Sequence, residues 1–154
     1  MHFRIRGLDP QPFAPLFALS DEALASRRAL RKTSDQAPGF PCRVTLRDAD
    51  PGTTVLLLNY EHLPVDSPYR ASHAIYVTEA TEAFDEVDTI PPAFCERLLA
   101  LRAFDDRGLM IDADIVEGHA SVALIEKLLA LPDTAYLHAH YAKRGCYAGR
   151  IERA

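Results

Sequence analysis

The sequence has no apolar run approaching the roughly 20 residues that a membrane-spanning helix needs. Nor does its start reach signal-peptide length, because MHFRIRGLDPQPF is broken by charge and proline before an apolar stretch develops. A protein without a membrane span, located in the cytoplasm, is expected. Cysteine is scarce: Cys42, Cys95 and Cys146 are an odd three, without the close spacing of a zinc knuckle or a redox dithiol. Free thiols in a reducing compartment are the simplest reading. Tryptophan is absent, which excludes nothing.

Also lacking are a basic stripe and an aromatic platform for RNA. The net charge is −5, and the excess is uneven: residues 1 to 77 hold nine Lys/Arg against eight Asp/Glu, whereas residues 78 to 154 hold eight against fourteen. Much of it lies between Glu79 and Asp88, where Glu82, Asp85 and Glu86 have no base among them. Such a run reads as a solvated loop and repels phosphate backbones. Nucleic acid is therefore not an expected partner.

What is present describes a globular domain. The 154 residues are 48% hydrophobic and 25% charged, with no repeat, low-complexity tract or linker. A single domain over residues 1–154 is expected, and a chain of this size buries roughly two thirds of its unfolded surface. Neither a disulfide nor a structural metal is needed to hold it together.

Short elements are punctuated by proline and glycine. FRIRG alternates as an opening strand, and Ser20 before DEALASRRAL predicts an N-capped helix over 20–30 with acidic residues in its first turn. CRVTLRD and TTVLLLNYEH flank ADPG, a hairpin signal in which Pro51 and Gly52 suit a type II turn. The continuous apolar run Val55 to Leu58 predicts a central strand covered on both faces, with its polar end, Asn59 to His62, emerging at the edge of the core. HAIYVTE reads as a strand and PPAFCERLLAL as a helix through Phe94, Leu98 and Leu101. RAFDDRGLMIDAD reads as a hairpin turning at Gly108, and HASVALIEKLLAL as a helix buried through Val122, Ile125, Leu128 and Leu129. TAYLHAHYA and GCYAGRIER close the chain as adjacent strands. The mixture lacks regular βα alternation, so an α+β fold with a mixed or antiparallel sheet and about three helices is expected.

The blocks PCRVTL, LLLNYEHLPVDSPYRA, LRAFD and YLHAHYAKRGCYAGR, in that order, resemble a bacterial family catalogued as domain of unknown function 1203. The resemblance runs over nearly the whole length. It implies no activity, substrate or catalytic residue.

Candidate chemistry is therefore read from the residues. In a strand over 135–141, the two-residue period puts Tyr136, His138 and His140 on one face and Leu137, Ala139 and Tyr141 on the other. Two histidines so placed can reach one ion, but a site needs a third ligand, which His62, His73, Asp105 or Cys146 supplies only if the fold brings it round. With no third ligand evident, no bound metal and no cofactor are expected. The plainer reading is a polar strand face whose histidines hydrogen-bond to neighbours or solvent. Cys146, just after Lys143 and Arg144, is a candidate nucleophile with His138 or His140 as base, or else a small packing residue.

In SPYR, Arg70 offers a planar donor pair and Tyr69 a hydroxyl for a carboxylate or phosphate; alternatively Arg70 ties down Asp66, Asp105 or the acidic run. Polar groups gather at segment ends 42–43, 59–62, 67–70, 102–105 and 136–147. If those ends meet, they line one pocket. The expected function is binding of a small anion by Arg43, His62, Tyr69, Arg70, His138 and His140, with or without chemistry there. The alternative is a non-catalytic interaction domain that docks a protein partner through the acidic 79–88 segment or an exposed sheet edge.

Overall fold

Nine strands and three short helices make up the chain, described over residues 1–154 by a computed structural model. They follow one another as β1 (Phe3–Arg6), α1 (Asp21–Ser26), β2 (Ala29–Thr33), β3 (Thr54–Leu63), β4 (Ala71–Thr78), β5 (Asp85–Val87), α2 (Pro92–Cys95), β6 (Leu98–Phe104), β7 (Met110–Glu117), α3 (Val122–Leu129), β8 (Tyr136–Tyr141) and β9 (Tyr147–Arg153). One sheet has the order β5-β1-β9-β8-β6-β7 and the other the order β2-β3-β4. All strand pairs are antiparallel, so the fold is α+β.

Each sheet has its own core. Leu99, Leu101, Leu137, Ala139, Ile151 and Ile5 of the larger sheet pack with Ile125, Leu128 and Leu129 of α3 and with Phe94 of α2. Leu56, Leu58, Ile75 and Val77 of the smaller sheet pack with Phe13 and Leu24. β3 is central in its sheet, as its apolar run implies. Gly52 (φ +89°) and Gly108 (φ +77°) take the left-handed conformation that their turns require.

Several expected elements differ. The helix from Ser20 is capped as predicted, with Ser20 Oγ accepting from the Ala23 amide, but it stops at Ser26. Arg28, at φ +57°, turns the chain so that Ala29–Thr33 pairs with Thr54–Leu58. PPAFCERLLAL yields only the one-turn α2. Leu99, Leu101 and Ala103 carry a period of two as well as helical spacing, and pairing with both β7 and β8 selects the strand. CRVTLRD is not a hairpin strand. Its alternating apolar residues serve two cores instead, with Leu46 in the first and Cys42 and Val44 in the second. Val122 is exposed, while the other three apolar residues named for α3 are buried. The acidic run is not all loop: Asp85 to Val87 form the edge strand β5, and Asp85 pairs with Arg4 and Arg6 of β1.

All three cysteines are free thiols. Thiol counting on freshly purified protein under denaturing, non-reducing conditions should find three, and a count of one would contradict this arrangement.

Candidate functional site

β8 sets the site. Its period divides the strand as the sequence implies, yet all six residues are buried, with His138 2% and His140 0% exposed. In the sheet register, Arg102 of β6 and Arg150 of β9 stand opposite His138, and Ala100 and Tyr147 stand opposite His140. A register shift between Ala139 and His140 brings Tyr147 onto the histidine face.

The smaller sheet supplies the rest. At the end of β3 the register shifts between Glu61 and Leu63, at His62. The His62 ring stacks on Tyr147 at 4.9 Å and 10° and lies 5.5 Å from His138 and 5.1 Å from His140, centroid to centroid. His73 of β4 follows, its Nδ1 2.9 Å from His62 Nε2. Four of the six histidines thus converge from three strands and two sheets.

Their protonation follows from their partners. The Gly145 carbonyl can only accept, so His140 donates from Nδ1 at 2.9 Å and carries its lone pair on Nε2. That nitrogen is buried without a partner, as are His62 Nδ1 and His138 Nδ1. Burial, reinforced by His62, His140, Arg150 and Arg102, pushes the pKa of His138 down to about 2. Burial likewise lowers His140 to about 3 against the opposing effect of the Gly145 bond, and lowers His62 to about 4 with help from His73 and Arg102. The imidazoles are neutral at pH 7.

The fold brings His62 round to the two β8 histidines. One imidazole nitrogen from each of His62, His138 and His140 lies within 4.8 Å of the other two. Asp105 is committed elsewhere, to Arg107 and to the backbone amides of residues 107 and 109.

The arginines and Tyr69 depart from expectation. Arg43 is buried, donating from Nε to the Tyr147 carbonyl at 2.6 Å, to the Pro41 carbonyl, and from Nη2 to Cys146 Sγ at 3.1 Å. It braces the site instead of offering a free fork. Arg70 does not turn to the histidines: it pairs with Glu61 at 2.6 Å and is more than half exposed. Its partner is a carboxylate of the adjacent strand, not Asp66, Asp105 or the acidic run. Tyr69 is exposed, with its ring edge-on to Phe104 at 6.2 Å. The SPYR loop is held by its own bonds, Ser67 Oγ donating to the Gly108 carbonyl and accepting from the Tyr69 amide. The residue that sequence reasoning passed over is Arg102. It lies in one of the polar segment ends, but its alternation with Leu101 and Ala103 became informative only once β6 was known to be a strand.

His73 also lines a cavity of about 870 Å³, bounded by Tyr76 on β4 and by Lys143, Arg144 and Cys146 in the turn between β8 and β9. Its wall carries Arg43, Arg97, Lys143 and Arg144 against Glu96 and Glu117. Arg97 is bidentate to Asp48 at 2.6 and 2.7 Å, while Lys143 and Arg144 have no carboxylate partner. Two cations lie over the Tyr141 ring, Arg43 4.8 Å and Arg97 5.1 Å from its centroid. Its hydroxyl is unpartnered, and burial pushes its pKa up to about 12.

Fold and site define an antiparallel α+β protein with a buried histidine cluster between two sheets, next to a cationic cavity. The chain belongs to the family described as protein of unknown function (DUF1203), which it matches over residues 39–153. That span contains the four clustered histidines and the cavity wall. No curated protein and no solved structure matches the chain. No helix is long and apolar enough to cross a membrane.

Proposed function

We propose that the protein binds a small anionic molecule in the cavity beside the histidine cluster. The observation that carries this reading is the charge of the wall: four cationic side chains against two carboxylates around about 870 Å³, within the usual range for small-molecule sites. Since Arg97 and Arg43 are engaged by protein groups, Lys143 and Arg144 are the free donors for a carboxylate or phosphate.

A thermal-shift screen of small organic acids and phosphate esters, run with a chelator present, tests the proposal. At a hundredfold excess over Kd, a ligand adds on the order of 3 kcal/mol of stability. A subset of anions should raise the Tm of wild type and of Arg70→Ala alike, because Arg70 pairs with Glu61 and does not line the cavity. Lys143→Ala/Arg144→Ala should lose the shift. Were no anion to stabilise wild type, or were the double variant to respond equally, the cavity reading would fail. Docking of a protein partner at a sheet edge would then take precedence.

A further inference from the structure

We propose that His62, His138 and His140 form a binding site for a divalent transition ion, with zinc the best-matched member of that class. This inference does not depend on anion binding in the cavity.

The geometry is the first support. One nitrogen from each ring already lies within 4.8 Å of the other two. Tetrahedral ligands at zinc–nitrogen distances of about 2.0–2.1 Å stand about 3.3 Å apart, so closing on an ion moves each imidazole by less than about 1 Å.

The hydrogen bonding is the second. Each ring keeps one buried nitrogen with no protein partner. For His140 that nitrogen is an acceptor, since the Gly145 carbonyl takes the Nδ1 proton. For His62 the same follows when Nε2 donates to His73 Nδ1, which leaves a lone pair on the buried, unpartnered Nδ1. A carbonyl and a second imidazole thus fix two of the three rings from outside, the role that outer partners play around metal-ligating histidines. Tyr147, stacked on His62 and edge-on to His138, limits ring rotation.

Third is the chemistry of the donors. Three neutral imidazoles suit zinc, copper, iron and nickel, whereas magnesium and calcium require oxygen ligands. The charge environment sharpens that choice. Arg102, half-buried and with no carboxylate partner, stands opposite His138, as does Arg150, whose charge is partly offset by its pair with Glu152 at 3.2 Å. Their field works against any cation held by charge alone, so occupancy requires an ion that bonds to nitrogen.

The test uses tag-free protein stripped with chelator, then exchanged into chelator-free buffer without phosphate or carboxylate. Zinc is titrated by calorimetry and cobalt by its visible d–d bands. Wild type should take up one equivalent of zinc and give the intense bands of tetrahedral cobalt. His62→Gln and His140→Gln should each weaken zinc binding by at least about 100-fold, and His73→Gln, which removes an outer partner, by about 10- to 100-fold. His119→Gln, at an exposed position away from the cluster, should bind as wild type does. Circular dichroism of each apo variant separates lost binding from lost folding; should His140→Gln fail to fold, His62→Gln at the strand end carries the test. Absence of saturable zinc binding by wild type overturns the proposal. So does stoichiometric zinc retained undiminished by the folded histidine variants, or zinc displaced by equimolar magnesium or calcium.

Discussion

Metal-free protein, kept in chelator, should lose about 4 kcal/mol of stability between pH 8 and pH 5 through His138 and His140. Both are neutral in the folded state, with pKa values lowered to about 2 and about 3, chiefly by burial. In the unfolded chain each titrates near 6.5. Because the folded values are depressed, the unfolded chain takes up protons that the native state refuses. Stability is therefore intact above about pH 6.5 and falls as the pH drops below it, by about 2 kcal/mol per histidine at pH 5. Against a total of about 5–15 kcal/mol for a typical domain, that loss is large. Asp48, lowered against the effect of its burial by its bonds to Arg97, is held charged, not neutral, and contributes in a separate, lower window as it becomes protonated. Urea unfolding at pH 8, 7, 6 and 5 measures the effect together with a similar loss through His62, lowered to about 4, so His140→Gln should flatten about a third of the total. A stability independent of pH over this range would mean that these imidazoles are not held neutral.

Substitution of Gly118 by alanine should destabilise the fold severely. Gly118 lies where the turn after β7 crosses α2, and its amide donates to the Arg97 carbonyl at 2.9 Å. A Cβ there would stand 1.8 Å from the Phe94 carbonyl oxygen and 2.8 Å from that of Arg97. Both neighbours are backbone at the entrance to β6, so relief requires moving the strand that carries Arg102. A cost above about 4 kcal/mol is expected, within the range reserved for the most disruptive substitutions. Gly52→Ala provides the contrast, since open space surrounds that position and only the φ of +89° resists the side chain, at about 1 kcal/mol. Comparing soluble yield and chemical unfolding of the two variants checks the prediction. A Gly118→Ala protein as stable as Gly52→Ala would show that the crossing of α2 and the β7–α3 turn is looser than described.

Local pattern made part of the site readable. Alternation in YLHAHY is a backbone property, so it put His138 and His140 on one face without any knowledge of their neighbours. The apolar run before Asn59 likewise marked β3 as a central strand with His62 at its polar end. The helices over 20–30 and from Pro92 were overextended for one reason: Ala29–Thr33 and Leu98–Phe104 tolerate either conformation in isolation, and strand partners far away in sequence decide between them.

The sequence by itself determined the α+β class, the turns at Gly52 and Gly108, the shared face of the two β8 histidines and the odd complement of thiols. Tertiary structure alone decided which polar groups meet. Arg70 and Glu61 lie nine positions apart in a chain that doubles back, so they satisfy each other at the surface, and the SPYR loop leaves the site. Arg43 lies about a hundred residues from Tyr147 and Cys146, yet it is buried against both. His62 reaches His138 and His140 only because a register shift at the end of one sheet is packed against the histidine face of the other. Contacts of that range depend on how two sheets are stacked, which is a property of the whole packed chain and leaves no periodic trace in any one segment.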